Sequence, residues 1–334
     1  MNEPRARILL WLLAAACAAS LPLSLMLGSV ALDARAALDG LLAPGAATLP
    51  SAIVALRLPR AVTAIAVGGL LALSGALLQA LLRNPLADPY VLGISGGGAC
   101  AALLAIALGA GAFATHCAGV LGALAALAAL FLLARRALFG AEQQSGESAA
   151  SSILLVGVMM ASLAAALLSL ALSLAPTGRL RPMVFWLLGD LSGALDPAAA
   201  WFSLAVLVVC AWTGARDAAA LNLMLRGDLQ AFTQGVEVER VRRRLVIVAS
   251  IATGWAVALA GAIGFVGFVA PHLARFALGN DQRLALPASV LIGATLLAAA
   301  DLAARTVAAP AQLPVGVLTV MFGVPLFLWQ LRRQ

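Results

Sequence analysis

Lysine is absent from this chain of 334 residues, and all 21 of its basic residues are arginine. A phosphate-binding P-loop requires a lysine, so the chain has no standard P-loop. If ATP drives the protein, another subunit must bind the nucleotide. Histidine is also scarce, with only His116 and His272. The four cysteines have no metal-binding spacing, so we expect no metal and no cofactor. They are Cys17, Cys100, Cys117 and Cys210.

Charge is scarce as well, because charged residues make up only 10% of the chain and hydrophobic residues make up 63%. Soluble domains contain roughly 45–50% apolar residues. A chain this apolar is typical of a protein that crosses a bilayer many times, since about 20 apolar residues span the hydrocarbon. The apolar run that continues to Val30 favours a first membrane anchor over a cleaved signal peptide. The scattered arginines favour topology signals and lipid contacts over nucleic acid.

We predict one all-α polytopic membrane domain over residues 1–334, with about ten transmembrane helices. The seventh and eighth segments are short and joined by a glycine-rich run, so one long tilted span is the alternative there. The ten segments lie near 8–30, 61–82, 91–112, 117–134, 152–175, 198–213, 245–260, 262–276, 284–303 and 314–330.

The distribution of arginine favours ten spans over nine. With a cytoplasmic start, ten spans place 15 arginines inside and 6 outside, whereas nine spans give 12 and 9. Cytoplasmic loops carry the excess of positive charge, so we expect ten spans with both termini in the cytoplasm. The six arginines expected outside are Arg35, Arg57, Arg60, Arg179, Arg181 and Arg305.

Two polar segments interrupt the apolar pattern on the expected cytoplasmic side. The run RNPLADPYVLG after the second span is either a tight polar turn or the border of a solute pathway. The segment of about 214–244 has the pattern of short amphipathic helices broken at Gly227 and Gly235. It is either a solvated loop whose arginines lie beside lipid headgroups or a docking element for a cytoplasmic partner.

Three long motifs then resemble one known family. They are RLPRAVTAIAVGGLLALSGALLQALLRNPLADPYVLGISGGGA at 57–99, GWAVALAGAIGFVGFVAPHLAR at 254–275, and DLAARTVAAPAQLPVGVLTVMFGVPLFLWQL at 301–331. The chain resembles the FecCD family, the permease subunits of binding-protein-dependent ABC importers for cobalamin, haem and ferric siderophores. The resemblance implies a type II ABC importer permease fold in the bacterial inner membrane, with ten helices.

The resemblance also implies partners and site residues. Such permeases pair with a second copy of themselves, with two cytoplasmic ATPase subunits and with a periplasmic substrate-binding protein; the arginines near 242–244 contact either the ATPase or membrane lipid. The family's usual leucine is Gln234 here, which loosens the match at the ATPase contact. By resemblance, Arg57, Arg60 and Arg305 dock the binding protein, Asn84, Leu86, Ser151 and Ser152 form the cytoplasmic gate, and Leu225, Gly227, Asp228, Ala231 and Gly235 couple to the ATPase.

The predicted function is therefore ATP-driven import, in which the chain itself catalyses no bond chemistry. The alternative is an ion-coupled secondary transporter, which requires acids near the membrane midplane and usually internal repeats. Asp301 is the acid to consider at membrane depth. Arg305 lies four residues further on, so a local helix ion pair is the first expectation for Asp301.

Overall fold

The computed structural model describes residues 3–88, 90, 93–133 and 146–331, which form fourteen helices and no strand. The all-α class expected from the sequence is confirmed for this part of the chain. The helices are α1 Glu3–Met26, α2 Ala34–Leu42, α3 Leu49–Leu81, α4 Ile94–Leu108, α5 Ala112–Leu133, α6 Gly146–Ser173, α7 Thr177–Leu187, α8 Pro197–Arg216, α9 Ala218–Arg226, α10 Asp228–Thr233, α11 Val238–Ala260, α12 Val266–Leu278, α13 Gln282–Thr306 and α14 Val315–Leu331.

Ten of these helices correspond to the ten predicted spans. Seven of them are long and apolar enough to cross a membrane: α1, α3, α5, α6, α8, α11 and α13. Three shorter apolar helices, α4, α12 and α14, occupy the remaining predicted positions. The polytopic membrane class is therefore confirmed. The short helices α2 and α7 were not predicted, and both lie in connections between spans.

Helix α3 lies at the centre of the bundle, where 94% of its apolar window is buried. It begins at Leu49 and not near residue 61 as predicted, because the Thr48 hydroxyl caps its first turn by accepting from the Ser51 N–H. Pro50 stands in that first turn, where its missing N–H costs nothing. The helix continues through Pro59 and packs against α8, α11, α12 and α13.

Glycine pairs allow the central helices to approach one another closely. A Cβ atom added to Gly68 of α3 would lie 2.3 Å from the carbonyl oxygen of Gly293 in α13. A Cβ atom added to Gly75 would lie 1.8 Å from the carbonyl oxygen of Gly267 in α12. Small residues at such crossings let membrane helices pack backbone against backbone. The glycine content of these spans therefore sets the helix spacing.

The alternative of one long span across helices α11 and α12 is wrong, because non-helical residues 261–265 separate them. Phe265 has a φ of 75° and forms the entry to α12. A Cβ atom at Gly261 would lie 2.0 Å from the Trp186 carbonyl oxygen of α7, so this stretch is packed inside the protein. Non-helical backbone at membrane depth is tolerated where protein surrounds it. The 13 residues of α12 span about 20 Å, and the non-helical residues 261–265 add to that length.

Two opposite ends of the bundle carry the polar clusters. The Asp301 end holds the last residues of α1, the first residues of α3 and the last residues of α13. The Asp228 end holds the turn after α3, the helices α9 and α10, and the start of α13. Since α3 and α13 run antiparallel through the core, each connects one end to the other. The candidate site residues fall at these two ends.

Candidate functional site

Asp301 at the Asp301 end is a fully buried carboxylate held between two arginines. Its Oδ1 lies 2.8 Å from the Nε of Arg60, and its Oδ2 lies 3.0 Å from the Nε of Arg305. The Asp301 side chain has no solvent exposure, and the two arginine side chains have 6% and 8%. The expected pairing of Asp301 with Arg305 is present. The second partner, Arg60, comes from a helix far away in the sequence, which no helix-periodicity argument reveals.

Arg57 and Arg305 donate hydrogen bonds to carbonyl oxygens in the last turn of α1. The guanidinium of Arg57 donates to the carbonyl oxygen of Leu25 at 2.7 Å and also to those of Met26 and Val30. The last carbonyl groups of a helix have no partner within the helix, and its carboxyl end favours a cation. The Nη1 and Nη2 atoms of Arg305 both lie 3.4 Å from the carbonyl oxygen of Ser24 and donate to it. The arginines therefore fasten α1 to α3 and α13.

The three arginines predicted to dock a partner are thus brought together, but inside the protein. Arg57, Arg60 and Arg305 are 8%, 5% and 7% exposed. Gln312 is exposed at the protein surface, and its Oε1 accepts from the Nη1 of Arg60 at 2.8 Å. Gln312 follows a proline in a loop, and no sequence signal pointed to it. Docking by these arginines stays a prediction, and the geometry gives each of them internal partners.

The predicted gate residues Asn84 and Leu86 form one closed turn. The Asn84 N–H donates to the carbonyl oxygen of Gln79 at 3.1 Å, and its Oδ1 accepts from the Leu86 N–H at 2.9 Å. The side chain of Asp88 likewise accepts from the Tyr90 N–H, so Asn84 and Asp88 both bond local backbone, as expected for a tight turn. The Leu86 side chain is 64% exposed at the tip of the turn. This geometry gives the turn an apolar surface that a neighbour can cover.

The other two predicted gate residues lie apart in the sequence, within helix α6. Ser151 and Ser152 stand in its second turn, and the side chain of Ser151 lies outside the described residues. Ser152 is exposed. Helix α6 packs against α4, the helix that follows the Asn84 turn. A gate formed by all four residues stays a prediction.

The predicted coupling segment folds into the two short helices α9 and α10, which break at Gly227. Gly227 has a φ of 139°, a conformation that favours glycine. Of the residues predicted to touch an ATPase, Leu225 is half-buried and Ala231 is fully buried, so both pack inward. The outward face of α10 instead presents two side chains that the prediction missed. These are Leu229 and Phe232, which are 78% and 69% exposed.

Asp228, the first residue of α10, also points inward. Its two carboxylate oxygens are ion-paired with Arg83 and Arg242. The Nη2 of Arg83 donates in addition to the carbonyl oxygen of Met224 in α9, at 2.7 Å. Gly235, the last predicted coupling residue, has a φ of 84° and lies in the turn that follows α10. Arg83 was not predicted as a site residue, although it immediately precedes the gate residue Asn84.

A further contact fastens α9 to the start of α13. The Asn222 amide donates to Oδ1 of Asp281 at 2.7 Å and accepts from the Gln282 N–H at 2.9 Å. The backbone N–H of Arg283 and then the amide of Asn222 lower the pKa of Asp281. The carboxylate is therefore ionised and caps α13 at neutral pH. Through this contact the coupling segment is fixed to a helix that runs to the Asp301 end.

A cavity of about 860 Å³ opens between α5, α8 and α11. Its lining is mostly apolar and includes Phe202 and Trp255, whose rings lie 5.0 Å apart. His116, Cys117 and Asp196 are the titratable groups in its wall. None of the predicted site residues lines this cavity. The candidate site is therefore the pair of polar ends and not this cavity.

Comparison with solved structures defines the class of protein. The fold resembles a metal-chelate type ABC transporter solved in an inward-facing conformation, with a TM-score of 0.84 and 28% sequence identity. The similarity covers 98% of this chain and 100% of that one. The chain therefore has the fold of a membrane permease of the ABC transporter type. It belongs to the FecCD transport family, which it matches over residues 15–333.

Curated relatives of known role support this assignment. The vitamin B12 import system permease BtuC of Klebsiella pneumoniae is 37% identical over 278 residues, covering 83% of this chain and 81% of that protein. The hemin transport system permease HmuU of Yersinia pestis is 39% identical over 285 residues, covering 84% of this chain and 82% of that protein. The two relatives differ in the named substrate and agree in the named role.

Proposed function

We propose that this chain is the permease subunit of a binding-protein-dependent ABC importer in the bacterial inner membrane. Its cargo is an iron chelate, either a siderophore or haem, or else cobalamin. The match to the FecCD transport family along nearly the whole chain is the observation that carries the proposal. Relatives named for vitamin B12 and for hemin have similar identities, so they support the broad substrate class. Partner subunits hydrolyse the ATP.

The Asp228 end of each permease chain binds one cytoplasmic ATPase subunit, so the pair of permeases binds two. Exposed apolar side chains on a short surface helix are suited to a cleft on a protein partner, since burial of their area stabilises the contact. Leu229 and Phe232 provide such a surface on α10. Arginines nearby on α11 provide contacts to the ATPase or to anionic lipid. This orientation places both termini in the cytoplasm.

A second copy of the chain completes the pathway. Only 11% of the apolar window of α6 is buried within one chain. Leu155, Met159 and Leu163 form an exposed stripe along it at helical spacing. We propose that part of this apolar surface faces the partner permease and the cargo between the two copies. The rest of the apolar surface contacts membrane lipid.

The periplasmic binding protein docks at the Asp301 end. Arg35 and Arg181 are the exposed arginines of the described residues at this end, and Gln312 covers Arg60. An acidic group of the partner meets these side chains first and reaches Arg60 when it displaces Gln312. Exposed ion pairs contribute only about 0.2–1 kcal/mol each, which suits a partner that leaves after each delivery. Steering and register are then the main contributions of the arginines.

Transport follows from a shift between two helix arrangements. Closure of the ATPase pair moves α10, and that motion favours one arrangement of the gate turn over the other. The ion-coupled alternative gains no support among the described residues. Asp301, the acid considered for it, is ion-paired with two arginines of this chain.

Uptake in proteoliposomes tests the proposal. The chain is reconstituted with its ATPase and binding protein, and uptake of cobalamin, haem and a ferric siderophore is measured with and without ATP. We expect ATP-dependent uptake of one of these cargoes, which stops when the binding protein is omitted. Uptake that an ion gradient drives without the ATPase would overturn the proposal. Vesicles that lack the permease provide the background.

A further inference from the structure

Asp228 occupies the junction between the coupling segment and the gate turn. It is the first residue of α10, directly after the Gly227 break. Its side chain is only 22% exposed, although it lies on a surface helix. The carboxylate bonds Arg83 with one oxygen and Arg242 of α11 with the other. Both carboxylate oxygens are thus bonded to arginines of this chain.

Arg83 is ion-paired with Asp228 and is also the residue that directly precedes the gate turn in the chain. It follows the last turn of α3 and immediately precedes Asn84, the residue whose side chain closes the turn onto the Leu86 N–H. Its φ of 47° is unusual for a residue other than glycine. Such backbone conformations persist only where the surrounding structure imposes them. Here the Arg83 side chain is fixed by Asp228 and by the Met224 carbonyl oxygen.

Helix α10 is joined to α9 at Gly227, which has a φ of 139°. A Cβ atom added at Gly227 would meet nothing within 4 Å, so the space beside this residue is open. The exposed Leu229 and Phe232 lie on the far side of the same short helix. A force on these two side chains therefore acts on Asp228, which is one residue from Leu229. Asp228 bonds directly to Arg83, the residue before the gate turn.

We infer that the ion pair between Asp228 and Arg83 is the link that transmits motion of α10 to the Asn84–Leu86 turn, with Arg83 as a positioning residue. The inference rests on the proposed function, because it assumes that an ATPase moves α10. Arg242 holds the carboxylate against α11 and sets the rest position of the link. When α10 moves, Asp228 draws Arg83 with it, and the turn that begins at Asn84 changes its position.

Labelling of the gate turn tests this link. A single cysteine is placed at Leu86 in a background in which the four native cysteines are replaced, and the rate of its modification by a thiol reagent is measured in the reconstituted complex with and without ATP. We expect a nucleotide-dependent change in rate with the native pair. Asp228→Asn, which keeps the shape of the side chain, and Arg83→Gln, which removes the guanidinium group, should each reduce that change by on the order of tenfold. Asp228→Glu and Arg83→Lys should restore part of it.

The exposed ion pair of Glu237 and Arg240 is the matched control. It lies on the same surface, its Oε2 and Nη1 atoms are 2.8 Å apart, and both side chains are 64% exposed. Glu237→Gln, which breaks this pair without removing an arginine of α11, should leave the nucleotide dependence unchanged. The double variant of Asp228 and Arg83 should be no worse than either single variant, because either change breaks the same link.

Uptake per ATP hydrolysed distinguishes a failure of the proposed function from a failure of the inferred link between Asp228 and Arg83. We expect the Asp228→Asn complex to hydrolyse ATP while its uptake per ATP falls on the order of tenfold. If the native complex shows no ATP-dependent uptake, the proposed function fails, and the inference fails with it. If the native complex transports and Asp228→Asn retains both its labelling change and its uptake per ATP, only the inference is overturned. Thermal unfolding of each variant identifies those that have lost their fold, and if either Asp228→Asn or Arg83→Gln is among them, the other single variant carries the test.

Discussion

Buried charge is the main feature at the residue scale. Asp301 has no solvent exposure, and it compensates two guanidinium groups that are themselves buried. Removal of one partner from a buried ion pair is costly, because the remaining charge stays away from water without compensation. The cluster joins α3 to α13, and the contact of Arg305 with Ser24 extends it to α1. A single carboxylate therefore compensates the two arginines that help to hold three helices together at this end.

Asp301→Ala should lower the free energy of unfolding by about 3–5 kcal/mol, because Arg60 and Arg305 would remain buried without their counter-charge. Thermal unfolding of the purified permease in detergent measures the change. Asp39→Ala, which removes an exposed carboxylate from α2, is the matched control and should change stability by less than about 0.5 kcal/mol. Equal stability of the two variants would show that the cluster does not fasten the helices.

At the element scale, the helix crossings depend on where glycines face one another. The Gly75 position leaves only 1.8 Å between an added Cβ atom and the Gly267 carbonyl oxygen, and backbone cannot move aside as a side chain can. Gly214 in α8 also faces α3, but there the nearest atom to an added Cβ is the Leu73 side chain at 3.5 Å. The same substitution therefore has opposite consequences at the two positions.

Gly75→Ala should separate α3 from α12 and lower the free energy of unfolding by about 1–3 kcal/mol or more, as other overpacked cores do. Gly214→Ala should be neutral or stabilise by up to about 1 kcal/mol, because alanine favours a helix over glycine. Thermal unfolding and the yield of folded protein distinguish the two variants. A Gly75→Ala protein that matches Gly214→Ala in both measurements would rule out a backbone contact at this crossing.

The positions of the spans could be predicted from the sequence, because hydrophobic runs and arginine placement are local signals. The packing of the arginines could not, since the partners of Arg57 and Arg60 lie in other helices and no periodicity connects them. The early start of α3 was missed because arginines are typical of the ends of spans, whereas Arg57 and Arg60 lie inside this helix and bond to residues of other segments. The exposed face of α10 was missed because a six-residue helix has too few positions to define its buried side.

At the scale of the whole molecule, the exposed arginines are distributed more unequally than the sequence count suggests. Three of the six arginines at the Asp301 end are buried and bonded within the protein. Only Arg35 and Arg181 are exposed there among the described residues. Exposed arginines are more numerous at the Asp228 end. In membrane proteins the cytoplasmic loops generally carry the excess of positive charge. They are Arg5, Arg7, Arg83, Arg216, Arg226, Arg240, Arg243 and Arg283.

This asymmetry predicts that the Asp228 end faces the cytoplasm. A single cysteine at the exposed Gln234 should react with a membrane-impermeant thiol reagent only in inverted vesicles, whereas a cysteine at the exposed Asp39 should react only in intact spheroplasts. The four native cysteines are replaced beforehand, and detergent-solubilised protein serves as the control for full reactivity at both positions. If both cysteines react from the same side, the number of crossings between α2 and the coupling segment is wrong. If the sides are exchanged, α10 points away from ATP, and no cytoplasmic ATPase can move the gate turn through Asp228.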